Sequence, residues 1–227
     1  ISWLLVTGES GYLGLHCVNE ALKAGFMYSP ACTLKEAIRK EYRGGQERLE
    51  LVEADLLQPS PGIRAPSTTP SPHPHTQVTL IARAVKEASI ILHTASPFLA
   101  DEVADENILI QPAVEGTLNV LKAAADSAGD SLRRMVLTSS VAAVFGGHTG
   151  PQGRHFSEVG WLDVAAPSRT SYLKSKTLAE KAAWDFFQHS EDWRLRRKRF
   201  VLAVINPGFI FGPMLGSCQG TSALHSV

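Results

Sequence analysis

Short apolar runs recur along this chain at residues 3–6, 49–52, 90–93, 135–138 and 200–205, and between several of them the apolar residues return at helical spacing. This switching between strand-like runs and a helical period constrains the chain more than any other feature, because it marks strands joined by crossover helices. Such units lay their strands parallel and cover both faces of the sheet, so the strands read as nearly unbroken apolar runs. The helical stretches are 15–24, which stops at Gly25, then 114–125 and 172–188. The expected fold class is α/β, a doubly wound parallel sheet with helices on both faces.

Two places interrupt the rhythm. After the first helix, where a second strand belongs, Pro30 falls inside the segment 26–33. A proline removes a ladder donor from a central strand, so a broken strand is expected there. Residues 59–77 hold six prolines and six Ser or Thr. That composition offers no core and predicts a disordered insertion. His73 and His75 lie within it, but no Cys, Asp or Glu stands near them at ligand spacing, and no metal site is expected.

At 227 residues the chain is long enough to bury one large core. Its 22 basic residues offset its 22 acidic ones, which leaves no net field to attract nucleic acid or an anionic membrane. The basic run RLRRKR at 194–199 directly precedes an apolar strand and reads as a solvated loop. No apolar stretch reaches the roughly 20 residues that span a bilayer, and the apolar start has neither a basic region before it nor a cleavage site, so it reads as a strand. Cys17, Cys32 and Cys218 are odd in number and form no CxxC pair. Neither a disulfide framework nor a zinc knuckle follows, and a reducing, cytoplasmic setting is expected. What remains is small-molecule chemistry.

The sequence TGESGYLG at 7–14 follows a strand and opens a helix. In that context Gly8 permits a tight turn, Gly11 lets the backbone approach a pyrophosphate, Gly14 lets helix and strand pack closely, and the helix N-terminus faces the phosphate charge. Taken alone, the triad is equally an ordinary Gly-rich turn. Asp55, after the run at 49–52, is placed to meet an adenine amine at the sheet edge, or equally to cap a helix.

Tyr172 and Lys176 stand four residues apart at the start of a helix and project from one face. A phenol is a poor acid at neutral pH, and a nearby ammonium favours the phenolate, so the spacing has a use in proton transfer. Thr138, Ser139 and Ser140 add hydroxyls at the end of an upstream strand.

The motifs TGESGYLG, EADLL, HTASPF, LTSSVAAVFG, YLKSKTLAEKAAW and NPGFIFGP, in this order, resemble the extended short-chain dehydrogenase/reductase superfamily. Within it they resemble the dihydroflavonol reductase and cinnamoyl-CoA reductase group. The resemblance implies a dinucleotide-binding Rossmann domain over residues 1–216 and makes Ser140, Tyr172 and Lys176 the catalytic set. It implies that Gly8, Gly11, Tyr12, Leu13 and Gly14 form the pyrophosphate loop, with Asp55 and Leu56 at the adenine. Thr94, Ala95 and Ser96 would pass over the ribose, Pro207 and Gly208 would lie near the nicotinamide amide, and Tyr172 and Lys176 would also touch the cofactor. The implied cofactor is NADP, with NAD as the alternative, and the implied partner is a small-molecule carbonyl or alcohol.

The chain departs from the family in three places. No arginine stands in 28–33 to select NADP, and Lys35 is the nearest basic residue. The Pro-rich segment occupies the place of a short acidic segment and helix. The family also continues into a substrate lobe, of which 217–227 would be only the start, so a truncated product is expected. The alternatives are an epimerase, dehydratase or hydroxysteroid dehydrogenase of the same superfamily, or a non-catalytic dinucleotide-binding product.

Overall fold

The computed structural model describes residues 2–9, 11–30, 56–57, 76–99, 103–128, 130–145, 155–166, 169–189, 200–213 and 215. Its elements run β1 (Trp3–Thr7), α1 (Tyr12–Lys23), β2 (Met27–Pro30), α2 (Thr76–Glu87), β3 (Ala88–His93), α3 (Asn107–Ser127), β4 (Arg134–Thr138), a 3-10 turn (Val141–Ala143), α4 (Ser171–His189) and β5 (Val201–Ile205). All pairings are parallel, in the order β2-β1-β3-β4-β5. The chain leaves β1 towards β2 on one side and returns to β3 on the other. The crevice beyond the carboxyl ends of β1 and β3 is therefore the switch point at which open sheets of this kind bind ligands.

Alternation along β1 divides the core. Leu4 and Val6 face α1, packing with Leu15, Val18 and Leu22. Leu5 faces the opposite way, into a larger cluster with Ile81, Val85, Ile91, Val120, Leu121, Met135 and Leu202. Each such side chain, when fully buried, stabilises the fold by about 1.5–3 kcal/mol. The doubly wound sheet is thus covered on both faces, as its apolar runs require.

Three expectations change. Pro30 does not break the second strand: it is the last residue of β2, paired in register with Val6. Among the described residues β2 is an edge strand, where a missing N–H costs the ladder least. Helix α3 begins at Asn107 rather than 114 and runs through Pro112. The ring falls in the second turn, where the carbonyl it leaves unmatched belongs to the exposed Ile108. Helix α2 lies outside the helical stretches that the sequence pattern marks. Its buried Ile81, Ala84 and Val85 carry the i, i+3, i+4 signal, and it takes in Thr76 and Gln77 from the end of the Pro-rich segment. The rest of that segment, the run at 49–52, Asp55, Cys32, Lys35, the basic run at 194–199 and residues 217–227 lie outside the described residues. Among the described residues no helix is long and apolar enough to cross a membrane.

Candidate active site

The turn leaving β1 is shaped by two glycines. Gly8 has φ of 77°, and a Cβ there would stand 2.6 Å from the backbone N and Cα of Ala95. At Gly14 a Cβ would land on the Gly8 carbonyl oxygen and within 2.6 Å of Glu9 Cα. These two positions accept no side chain because the protein itself fills the space. Gly11 differs. It caps α1 in an extended conformation without a side-chain hydrogen bond, and among the described residues a Cβ there would meet the Gly8 carbonyl oxygen at 3.3 Å. The first turn of α1 holds no acidic residue, so the helix N-terminus presents backbone donors and positive potential. Loop, open cap and dipole together make a cradle that fits a pyrophosphate.

The loop is held from behind. Tyr12 turns inward, 6% exposed, with its ring 4.8 Å from that of His16 and its hydroxyl against Gly212. What Tyr12 can offer a ligand is its backbone. His16 Nε2 lies 3.0 Å from the carbonyl oxygen of Pro213, drawing the segment after β5 across α1.

At the end of β3, the Thr94 N–H and hydroxyl donate to the Thr7 carbonyl at 3.1 and 2.6 Å. His93 is bracketed by the Thr7 hydroxyl, 2.6 Å from Nδ1, and the Thr117 hydroxyl, 3.4 Å from Nε2. Burial, and then the positive charge of Lys176, push His93 down to about 3. It stays neutral and joins β1, β3 and α3. Thr94, Ala95 and Ser96 are half-buried beyond it.

Across the crevice, Ser140 starts the 3-10 turn, its Oγ accepting from Ala142 N–H at 3.1 Å. Thr170 caps α4 by accepting from Leu173 N–H at 3.3 Å, which sets Tyr172 in the first turn, facing the β4 end. The Ser140 hydroxyl stands near enough to the Tyr172 phenol to lower its pKa. Lys176, one turn on, is 8% exposed, with Nζ 5.9 Å from the centre of the Tyr172 ring. Tyr172 and Lys176 thus lie on one face of α4, with Ser140 at the end of β4 beside them.

The expected acidity of Tyr172 does not hold. Burial raises its pKa, and the influence of the Ser140 side chain pulls only partly the other way. Desolvation acts on Lys176 as well, bringing the ammonium from 10.5 down to about 8. The structure thus favours the protonated phenol, because loss of water around the ring outweighs any attraction from the lysine.

Leu56 is half-buried against the larger core cluster, its carbonyl accepting from Asn119 Nδ2 at 2.7 Å. Pro207 reaches the serine turn through its carbonyl, which accepts from Val141 N–H at 3.0 Å, while Gly208 is exposed. A cavity of about 440 Å³ adjoins the turn, walled by Val141, Val144, Phe145 and Phe156 with Asn206 and Glu158. Sequence reasoning missed Phe98, whose ring meets that of Tyr172 edge-on at 5.3 Å. It also missed Glu180, although that residue stands at i+8 from Tyr172 on the same helix face.

A family model described as the 3-beta hydroxysteroid dehydrogenase/isomerase family matches residues 76–221. The chain is 33% identical over 232 residues to the cinnamoyl-CoA reductase CAD2 of Medicago truncatula, covering 96% of this chain and 60% of that protein. It is 39% identical over 136 residues to the NADPH-dependent methylglyoxal reductase GRE2 of Saccharomyces cerevisiae, covering 57% of this chain and 39% of that one. The crystal structure of yeast methylglyoxal/isovaleraldehyde reductase Gre2 complexed with NADPH superposes with a TM-score of 0.72 at 28% identity, covering 94% of this chain and 59% of that chain. The chain thus spans only part of the length of the proteins it matches.

Proposed function

Because this chain belongs to the 3-beta hydroxysteroid dehydrogenase/isomerase family, we propose that it is an NADPH-dependent carbonyl reductase of the extended short-chain type, with Ser140, Tyr172 and Lys176 as its catalytic set. The observation that carries this reading is the placing of Lys176 Nζ 5.9 Å from the Tyr172 ring, with Ser140 near enough to act on the phenol and the Gly8 cradle on the other side of the same crevice. Relatives named as reductases support it.

On this reading the cradle residues Gly8, Gly11 and Gly14, with the backbone of Tyr12 and Leu13, hold the pyrophosphate of NADPH. Thr94, Ala95 and Ser96 line the ribose side, and Asp55 is kept as the adenine contact. NADPH, when bound, supplies a hydride to the substrate carbonyl carbon. Ser140 orients the carbonyl oxygen, and Tyr172 donates its phenolic proton to that oxygen as the alcohol forms. The phenolate left behind regains a proton from solvent, and the Lys176 ammonium beside the ring stabilises it meanwhile. Burial that favours the phenol keeps Tyr172 charged with its proton at neutral pH. The apolar wall of Val141, Val144, Phe145 and Phe156 next to Ser140 suits a small molecule with an apolar body. The free thiol of Cys17 accords with a reducing compartment such as the cytoplasm.

The test is a fluorescence titration with NADPH and NADH, followed by a panel of aldehydes and ketones assayed by NADPH consumption. Micromolar NADPH binding and turnover of at least one carbonyl are expected. Binding without turnover of any member would favour the dinucleotide-binding alternative.

A further inference from the structure

A buried carboxyl group must be met by donors, and the donors around Glu180 lead back to Ser140. Glu180 is 4% exposed and shares one face of α4 with Tyr172 and Lys176. Asn206, the first residue beyond β5, donates through Nδ2 to Glu180 Oε2 at 2.7 Å and to the Ser140 carbonyl oxygen at 3.1 Å. The Trp184 indole donates to the other carboxyl oxygen at 3.4 Å. The Ser140 carbonyl also accepts from Ala143 N–H at 3.0 Å, so both of its lone pairs are engaged.

The surrounding backbone is tied to the same strand end. Ser139 N–H donates to the Ile205 carbonyl at 2.9 Å, and Val141 N–H to that of Pro207 at 3.0 Å. The peptide between Ser140 and Val141 is held on one side by its own 3-10 turn and on the other by the Asn206 amide. An asparagine amide by itself turns freely and presents oxygen as readily as nitrogen. With Glu180 accepting from it, only the orientation that aims nitrogen at Ser140 satisfies both contacts.

We infer that Glu180 and Asn206 are positioning residues: a buried acid on the helix of Tyr172 orients an amide that holds the Ser140 backbone, and with it the serine hydroxyl, at the end of β4. Asn206 also borders the cavity beside the turn, but both hydrogen bonds of its Nδ2 run to Glu180 and to the Ser140 carbonyl. The effect of the pair passes through Ser140, and it ties the β4, β5 and α4 contributions to the site into one unit.

Asn206→Asp replaces the donor by an acceptor facing both partners. Combining Asn206→Asp with Glu180→Gln restores a donor and acceptor between α4 and the β5 end, but leaves the Ser140 carbonyl opposite a carboxyl oxygen. The single variant should lose Tm and kcat together. The double variant should recover Tm while kcat stays down by about tenfold to a hundredfold, the loss that a displacement of about 1 Å produces, with NADPH affinity unchanged. The kcat arm rests on the reductase reading. A second arm does not: hydrogen exchange at the Ala142 amide, which reports the Ser140 Oγ bond, should be faster than in the parent in both variants. If the parent binds NADPH but turns nothing over, the reductase reading fails and exchange alone decides this inference. Recovery of kcat or of Ala142 protection along with Tm in the double variant would mean that the pair merely ties α4 to β5. A double variant that cannot fold would equally count against the donor exchange described. Should only the single variant fail to fold, the double variant compared with the parent carries the same decision.

Discussion

Ser140, leaving the turn after β4, stands near enough to Tyr172, in the first turn of α4, to oppose the effect of burial on the phenol's acidity. Tyr172→Phe removes the proton and keeps the ring, so NADPH binding should persist while kcat falls by about 10²–10⁴-fold. Ser140→Ala removes the influence that lowers the Tyr172 pKa. The phenolate absorbance assigned by difference from Tyr172→Phe should therefore appear at higher pH than in the parent. Near-parental kcat in Tyr172→Phe sinks the assignment of the acid.

Lys176 is a buried cation whose pKa falls from 10.5 to about 8. The sign follows directly: between these values the unfolded chain binds a proton that the folded one does not, so stability rises with pH across that window. Below about 8 the desolvation cost is fully present, on the order of 3 kcal/mol at 1.36 kcal/mol per pKa unit. Lys176→Met should thus be more stable than the parent at neutral pH and lose turnover, and its advantage should shrink as pH climbs from about 8 to 10.5. Denaturant unfolding at a series of pH values measures the difference. A Lys176→Met variant no more stable than the parent at neutral pH would show that the ammonium is not desolvated.

The glycines of the cradle separate by experiment. Gly14→Val should unfold or strongly destabilise the chain, because the protein occupies the space a Cβ would take. Gly11→Val meets one contact at 3.3 Å in an ordinary backbone conformation. Its Tm should fall far less than that of Gly14→Val while affinity for NADPH and NADH drops together. Thermal melts paired with fluorescence titration read both effects, and unchanged affinity in folded Gly11→Val returns the loop to an ordinary turn.

His93 is held neutral by burial, at about 3. In acid the unfolded chain takes up a proton near the ordinary histidine value of 6.5 while the folded chain does not, so stability contributed at this site is present above 6.5 and lost as pH falls towards about 3. His93→Leu should cost about 1–3 kcal/mol at neutral pH by leaving the Thr7 and Thr117 hydroxyls without their partner. Its deficit relative to the parent should narrow as pH falls below 6.5. A deficit that stays constant with pH would mean that His93 protonates in the folded state.

The sequence by itself determined the fold class, the strand-to-helix turn at Gly8 and the shared helix face of Tyr172 and Lys176, whereas Ser140 was joined to them only through the family resemblance. The first three rest on period and spacing, which are local properties: a parallel sheet buried on both faces requires apolar runs, and residues four apart on a helix share a face whatever surrounds them. The tertiary structure decided what local pattern does not carry. Pro30 remains in a strand because its strand lies at the edge of the described sheet. Tyr12 turns inward because Gly212, far along the chain, leaves room for its hydroxyl. The Tyr172 phenol is harder to ionise, against what its lysine neighbour suggested, because the cost of removing water from the ring depends on everything packed around it and exceeds any single attraction. Glu180 and Asn206 acquire their connection to Ser140 only where β4, β5 and α4 converge. Periodicity names the elements and their faces, but burial and hydrogen bonds between residues distant in sequence exist only after the sheet has assembled.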